Sequence, residues 1–97
     1  MAFNPGRSSS RPRENKVEAA AVQYAIRRGW VSKKVGTNAW PDRVFIRKAP
    51  ELLWVEFKRP GETLRANQRR RCEMVKSRGY RVLVIDSKEQ FADAFGA

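Results

Sequence analysis

The chain has 97 residues, with 21 Lys plus Arg against 10 Asp plus Glu, no histidine and a single cysteine, Cys72, and its formal net charge is +11 at pH 7. Such a composition excludes an internal disulfide, the usual zinc constellations and any imidazole general base, and no apolar run approaches the length of a membrane span or the core of a secretory leader. What remains is one small basic domain expected in the cytoplasm, the host's if the protein is viral. Its surface attracts polyanions, its leading partner is nucleic acid, and it is small enough that dimerisation would help bury apolar surface.

Residues 1–13, MAFNPGRSSSRPR, mix Gly, Pro, Ser and Arg with too little apolar surface to pack, and read as a flexible basic arm before a single domain over residues 14–97. Residues 14–28 have helical periodicity, with Val17, Ala21, Val22, Tyr24, Ala25 and Ile26 on an apolar arc, and Gly29 closes the helix. At about 100° per residue, Glu18 falls inside that arc between Val22 and Ala25, where a carboxylate is costly without a partner. Glu14, one turn earlier, shares the face. For either acid the plainer alternative is an interaction with the helix N-terminus. Residues 30–35 form a short strand candidate, and Gly36-Thr37-Asn38 a loop. Lys33 and Lys34 suit phosphate contact or, equally, protection of a sheet edge.

Two apolar runs, residues 40–46 and 53–58, flank the Lys48-Ala49-Pro50 loop and predict an antiparallel hairpin. Asp42 and Glu56 are equidistant from Ala49, so the natural register makes them cross-strand partners, roughly 5 Å apart at their carbons. Alternation puts Lys58 on the face of Glu56 and Asp42, and Val55 and Phe57 on the other. Facing carboxylates repel unless a proton, a cation or a basic side chain compensates. Magnesium or manganese is the natural compensator, with the Phe57 carbonyl as an extra ligand. A surface salt bridge between Glu56 and Lys58 is the bland alternative, against which the apolar flanks weigh.

After the Arg59-Pro60-Gly61 turn a second helix is expected over residues 63–78, closed by Gly79. On its wheel Leu64, Gln68, Cys72 and Val75 fall within about 80° of one another, which puts the polar Gln68 on the packing face. Arg65, Arg69 and Lys76 form a basic stripe beside it, suited to a phosphate backbone or simply solvated. Residues 81–86 read as a buried strand. Residues 88–95 read as a short amphipathic helix with Phe91, Ala92 and Phe95 as core candidates, and Asp86 at the strand end as its cap or, in reserve, a ligand.

These residues resemble a known family. Pro41-Asp42 followed by Glu56-Phe57-Lys58 looks like the PD-(D/E)xK nuclease signature, and the continuation from Arg59-Pro60-Gly61 to Gln68 is similar to the virus-type replication-repair nuclease (VRR-NUC) branch, over nearly all of residues 14–97. One departure is visible: Ala39 stands where family members usually carry Gly. The resemblance implies a restriction-endonuclease-like α/β fold, a mixed central sheet flanked by helices in the order αβββαβα. It also implies a magnesium- or manganese-dependent deoxyribonuclease in which Asp42 and Glu56 bind metal, Glu18 (with Glu14 as fallback) assists, and Lys58 and Gln68 serve the chemistry. For Gln68 a buried structural hydrogen bond stays open. Compact stand-alone relatives look like phage or prophage proteins and are similar to Holliday junction resolvases, which implies a homodimer acting on branched DNA in replication or repair. Two rivals remain: a non-catalytic basic DNA-binding module, and a viral interaction protein whose charge serves solubility. RNA also remains open as substrate.

Overall fold

The computed structural model describes residues 12–97, with side chains from Lys16 onward. The arm expected over residues 1–13 therefore lies almost wholly outside the described residues, as does the side chain of Glu14. Helix α1, Pro12–Ile26, starts slightly ahead of its expected first residue, with proline at the position where a missing N–H is harmless. Its C-terminus is closed by paired bonds from the Trp30 N–H to the Ala25 carbonyl (3.1 Å) and from the Gly29 N–H to the Ile26 carbonyl (3.0 Å). Gly29 supplies the left-handed residue this cap requires, at φ 87°.

Four strands follow: β1 (Val31–Lys34), β2 (Arg43–Ile46), β3 (Leu52–Phe57) and, after helix α2 (Ala66–Ser77), β4 (Arg81–Ile85). A 3₁₀ turn, Lys88–Gln90, leads into the short helix α3, Phe91–Phe95. The sheet order is β1-β2-β3-β4; the first two pairings are antiparallel and β3–β4 is parallel, so α2 is the crossover that parallel neighbours need. This is the expected mixed sheet in the expected order.

Alternation divides the strands between two cores. Phe45, Leu53, Val55, Phe57 and Ile85 pack with Val17, Ala21 and Ala25 of α1 and with Phe91, Ala94 and Phe95 of α3. On the opposite face Val82 packs with Cys72 and Val75 of α2, and Trp40, Trp54, Leu64 and Met74 close around them. Phe45, Phe57 and Phe95 are fully buried, each contributing on the order of 1.5–3 kcal/mol of transfer free energy. The α2 face is only partly covered: Val31 and its cross-strand partner Ile46 stay 67% and 45% exposed, and Tyr80 50%.

Three local expectations are corrected. Helix α2 begins at Ala66 rather than residue 63, because Arg65 is extended (φ −69°, ψ 159°) and stands at the N-cap. Ala94, not Ala92, enters the core, since α3 opens with a 3₁₀ turn that rotates the face. Asp86 is not the cap: Ser87 takes that position, and the Gln90 side-chain oxygen accepts from the backbone N–H groups of Asp86 (2.7 Å) and Ser87 (3.0 Å).

The β1–β2 hairpin is tighter than the expected loop. Bonds from the Val35 N–H to the Asp42 carbonyl (2.7 Å), Gly36 N–H to Pro41 carbonyl (3.1 Å) and Trp40 N–H to Thr37 carbonyl (3.0 Å) continue the ladder to a two-residue tip, Asn38 and Ala39. Their φ values, 52° and 68°, are both positive, as a type I′ turn demands. Asparagine tolerates that region; alanine does so only at a cost. Ala39 thus occupies a backbone position made for glycine.

Candidate active site

The register Arg43↔Val55, continued by one residue, sets Asp42 opposite Glu56, as the symmetry about Ala49 predicts. Asp42 closes onto β3 through its own side chain: Oδ2 accepts the Phe57 N–H at 2.7 Å. Phe57 therefore meets the site through its backbone while its ring lies in the other core. Glu56 and Lys58 are buried, 2% and 3% exposed, and this sets the pair apart from a solvated Glu-x-Lys. Lys58 Nζ lies 3.7 Å from Glu56 Oε2, an ion pair rather than a close hydrogen bond. The Lys58 backbone N–H donates to the Ile85 carbonyl (3.0 Å), so the lysine is fixed at the C-terminal edge of the parallel pair.

Gln68 reaches the same carboxylate. Its Oε1 accepts the Arg65 N–H (3.0 Å) at the start of α2, which leaves Nε2 to donate to Glu56 Oε2 at 3.1 Å. The helix start and the carboxylate thus share one amide, whose orientation both bonds fix. Behind them Cys72 is buried, and burial first, then the charge of Glu56, pushes its thiol above the ordinary value. It stays protonated and unreactive.

Glu18 is buried at 9% exposure, as its place in the apolar arc predicts, and its Oε2 accepts from Arg43 Nε (2.7 Å) and Lys34 Nζ (3.0 Å). Arg43 is held in turn by Ser32 Oγ (3.0 Å). Arg43 follows Asp42 directly, so alternation aims it at α1; the pairing is legible only once α1 is known to pack there. Lys34, expected at phosphate, is engaged with Glu18.

One polar cavity of about 340 Å³ collects these groups: Glu18, Lys34, Asp42, Glu56, Lys58 and Gln68 line it, with Arg65 and Asn67 at the α2 side. Of the basic residues singled out from the sequence, Lys33, Arg69 and Lys76 stand outside its lining. Asn67 belongs to the cavity and carried no sequence signal beyond its place next to Gln68. Among the described residues no three His, Cys, Asp or Glu side chains converge as a metal cluster. Asp42 and Glu56 are nonetheless hard-oxygen donors of the kind magnesium accepts, since that ion commonly takes only one or two carboxylates.

The mixed sheet with helices on both faces defines a restriction-endonuclease-like fold. Among solved structures the chain is similar to one described as "VRR_NUC domain", at 25% sequence identity and a TM-score of 0.77, over 84% of this chain and 91% of that one. The likeness supports a VRR_NUC domain protein and, with it, a nuclease-type domain. No protein-family model matches the sequence, and no curated protein matches it. Among the described residues no helix is long and apolar enough to cross a membrane.

Proposed function

We propose that this domain hydrolyses DNA phosphodiester bonds in a metal-dependent reaction at the cavity built on Asp42 and Glu56. The observation that carries the reading is the cross-strand placement of Asp42 against Glu56, with Lys58 buried beside them. Asp42, Glu56 and the Phe57 carbonyl would hold magnesium or manganese, with Glu18 assisting directly or through water. When bound, such an ion supplies charge stabilisation at the phosphate and acidifies a water. Lys58 positions the attacking water and stabilises the charge that develops on the phosphorane-like transition state, a role suited to an ammonium fixed before reaction begins. Gln68 keeps the Glu56 carboxylate oriented. Arg65, Lys33 and Lys34 are the proposed phosphate contacts, Lys34 on release from Glu18, whereas Arg69 and Lys76 stand outside the cavity lining.

The preferred substrate is branched DNA of the Holliday junction type, cut by a homodimer in phage replication or repair. A two-fold dimer matches the symmetry of a four-way junction, and the exposed Val31, Ile46 and Tyr80 offer apolar surface to a second copy. Labelled junction, flap and linear duplex, incubated with magnesium, manganese or EDTA, test the reading. Cutting that needs metal and is abolished in Asp42→Ala and Glu56→Ala, with DNA binding largely kept, is the expected result. Full metal-dependent activity in either variant would overturn the assignment of the acids.

A second reading, a non-catalytic DNA-binding module of the same fold, is favoured by one observation: Glu18 is neutralised by Arg43 and Lys34. It predicts tight binding with no cutting of any substrate.

A further inference from the structure

A second depression, of about 390 Å³, adjoins the acidic cavity. Asn38, Ala39, Asn67, Arg70 and Arg71 line it, and Ala39 and Asn67 line the acidic cavity as well, so the two are continuous across the seam between the β1–β2 tip and the first turn of α2. Their chemistry differs. Three carboxylates line the first; none lines the second, which presents two guanidinium groups and two amides.

Neither guanidinium is neutralised by a carboxylate among the described residues, whereas Arg43, Arg47 and Arg59 are paired with Glu18, Glu51 and Glu62. Arg71 is also pre-positioned: its guanidinium carbon lies 4.7 Å from the centroid of the Trp40 ring, and Trp40 is packed against Trp54 at 5.2 Å. A cation stacked on a fixed indole gives up little freedom when an anion arrives. The stripe of Arg69 and Lys76 lacks these features. It lies on the other flank of α2, it lines neither depression, and Arg69 Nη2 turns back to the Leu64 carbonyl at 3.4 Å.

We propose that the depression is a subsite for the phosphodiester backbone of the strand entering or leaving the acidic cavity, with Arg70 and Arg71 as its cations and Asn38 and Asn67 as amide donors. The path of the strand is then across the Ala39–Asn67 seam rather than along the Arg69–Lys76 stripe. The proposal rests on the nucleic-acid half of the function above and not on cleavage.

Fluorescence anisotropy of labelled duplex and single-stranded DNA, in EDTA and over a range of salt, tests it with the full chain. Removing one cation that neutralises a phosphate lowers the slope of log affinity against log salt by about 0.9 on duplex and about 0.7 on single strand. R70A/R71A is expected to lower the slope by close to twice that amount and to weaken binding at least about tenfold at low salt. R69A/K76A is expected to change affinity less than about threefold. R70A alone guards against misfolding, because Arg70 is exposed and pairs with no carboxylate among the described residues; it should lower the slope by a single such step. A wild-type slope in R70A/R71A, or equal weakening in the two double variants, would overturn the subsite. Wild-type protein that binds neither DNA at low salt would overturn the nucleic-acid reading together with it, whereas normal binding without cutting in magnesium would overturn only the hydrolytic half.

Discussion

Replacing Ala39 by glycine probes the tip that shapes both depressions. Ala39 sits at φ 68° in the second position of a two-residue turn. The left-handed region costs an L residue roughly 1–2 kcal/mol, and glycine's extra freedom in the unfolded chain returns about 0.5–1 kcal/mol of that gain. The difference leaves Ala39→Gly more stable by about 0.7 kcal/mol, which for a domain of this size raises Tm by about 4 °C. Asn38→Gly should gain less, because asparagine already tolerates its φ of 52°, and Ala39→Val should be less stable than wild type, since a β-branched side chain suits positive φ worst. Thermal and urea melts followed by circular dichroism read all three. An Ala39→Gly protein that melts at or below wild type would refute the strain argument, and with it the account of why glycine is favoured there.

Two further outcomes follow from the hydrogen-bond pattern. Gln68→Ala removes a bond to a charged group and a helix-end bond together, and should destabilise by about 1–3 kcal/mol with an unchanged urea m-value; a drop under about 0.5 kcal/mol would show that water replaces the amide freely. At the exposed hairpin, the bidentate Arg47 guanidinium holds the Glu51 carboxyl below its ordinary 4.5. A depressed carboxyl stabilises the fold above the unfolded value and ceases to as pH falls through the folded one. The stability gap between wild type and Glu51→Gln should therefore narrow as pH is lowered from about 5 to about 3 at low salt, and a gap independent of pH would rule the pair out.

The parts of this fold that were legible in the sequence are those governed by local periodicity. Register about Ala49 needs only the alternation of two apolar runs, so Asp42, Glu56 and Lys58 could be set together before any coordinates. Glu18 announced itself as a carboxylate in an apolar arc. What covers it did not: Arg43 and Lys34 lie on other elements, and nothing local says that β1 and β2 pass beneath that turn of α1. The start of α2 is not legible, because residues 63–65 fit the wheel, while the actual boundary is set by Gln68 reaching back to the Arg65 N–H. Arg70 and Arg71 are hidden for a different reason, their place next to Asn38 and Ala39 of the β1–β2 tip. With Leu64 taken as helical, the packing face was centred correctly, yet the flank that meets the β1–β2 tip could be recognised only once the tip was seen to be a two-residue turn.

Gln68 ties a buried carboxylate to the first turn of a helix, and helix ends open and close far more often than the sheet beneath them. Glu56 Oε2 therefore answers to that turn as well as to Lys58 Nζ, 3.7 Å away at its own strand's end. Asp42 is held apart from this, by the Phe57 N–H at 2.7 Å, so the two facing carboxylates answer to different elements, one to a strand backbone and one to a helix start.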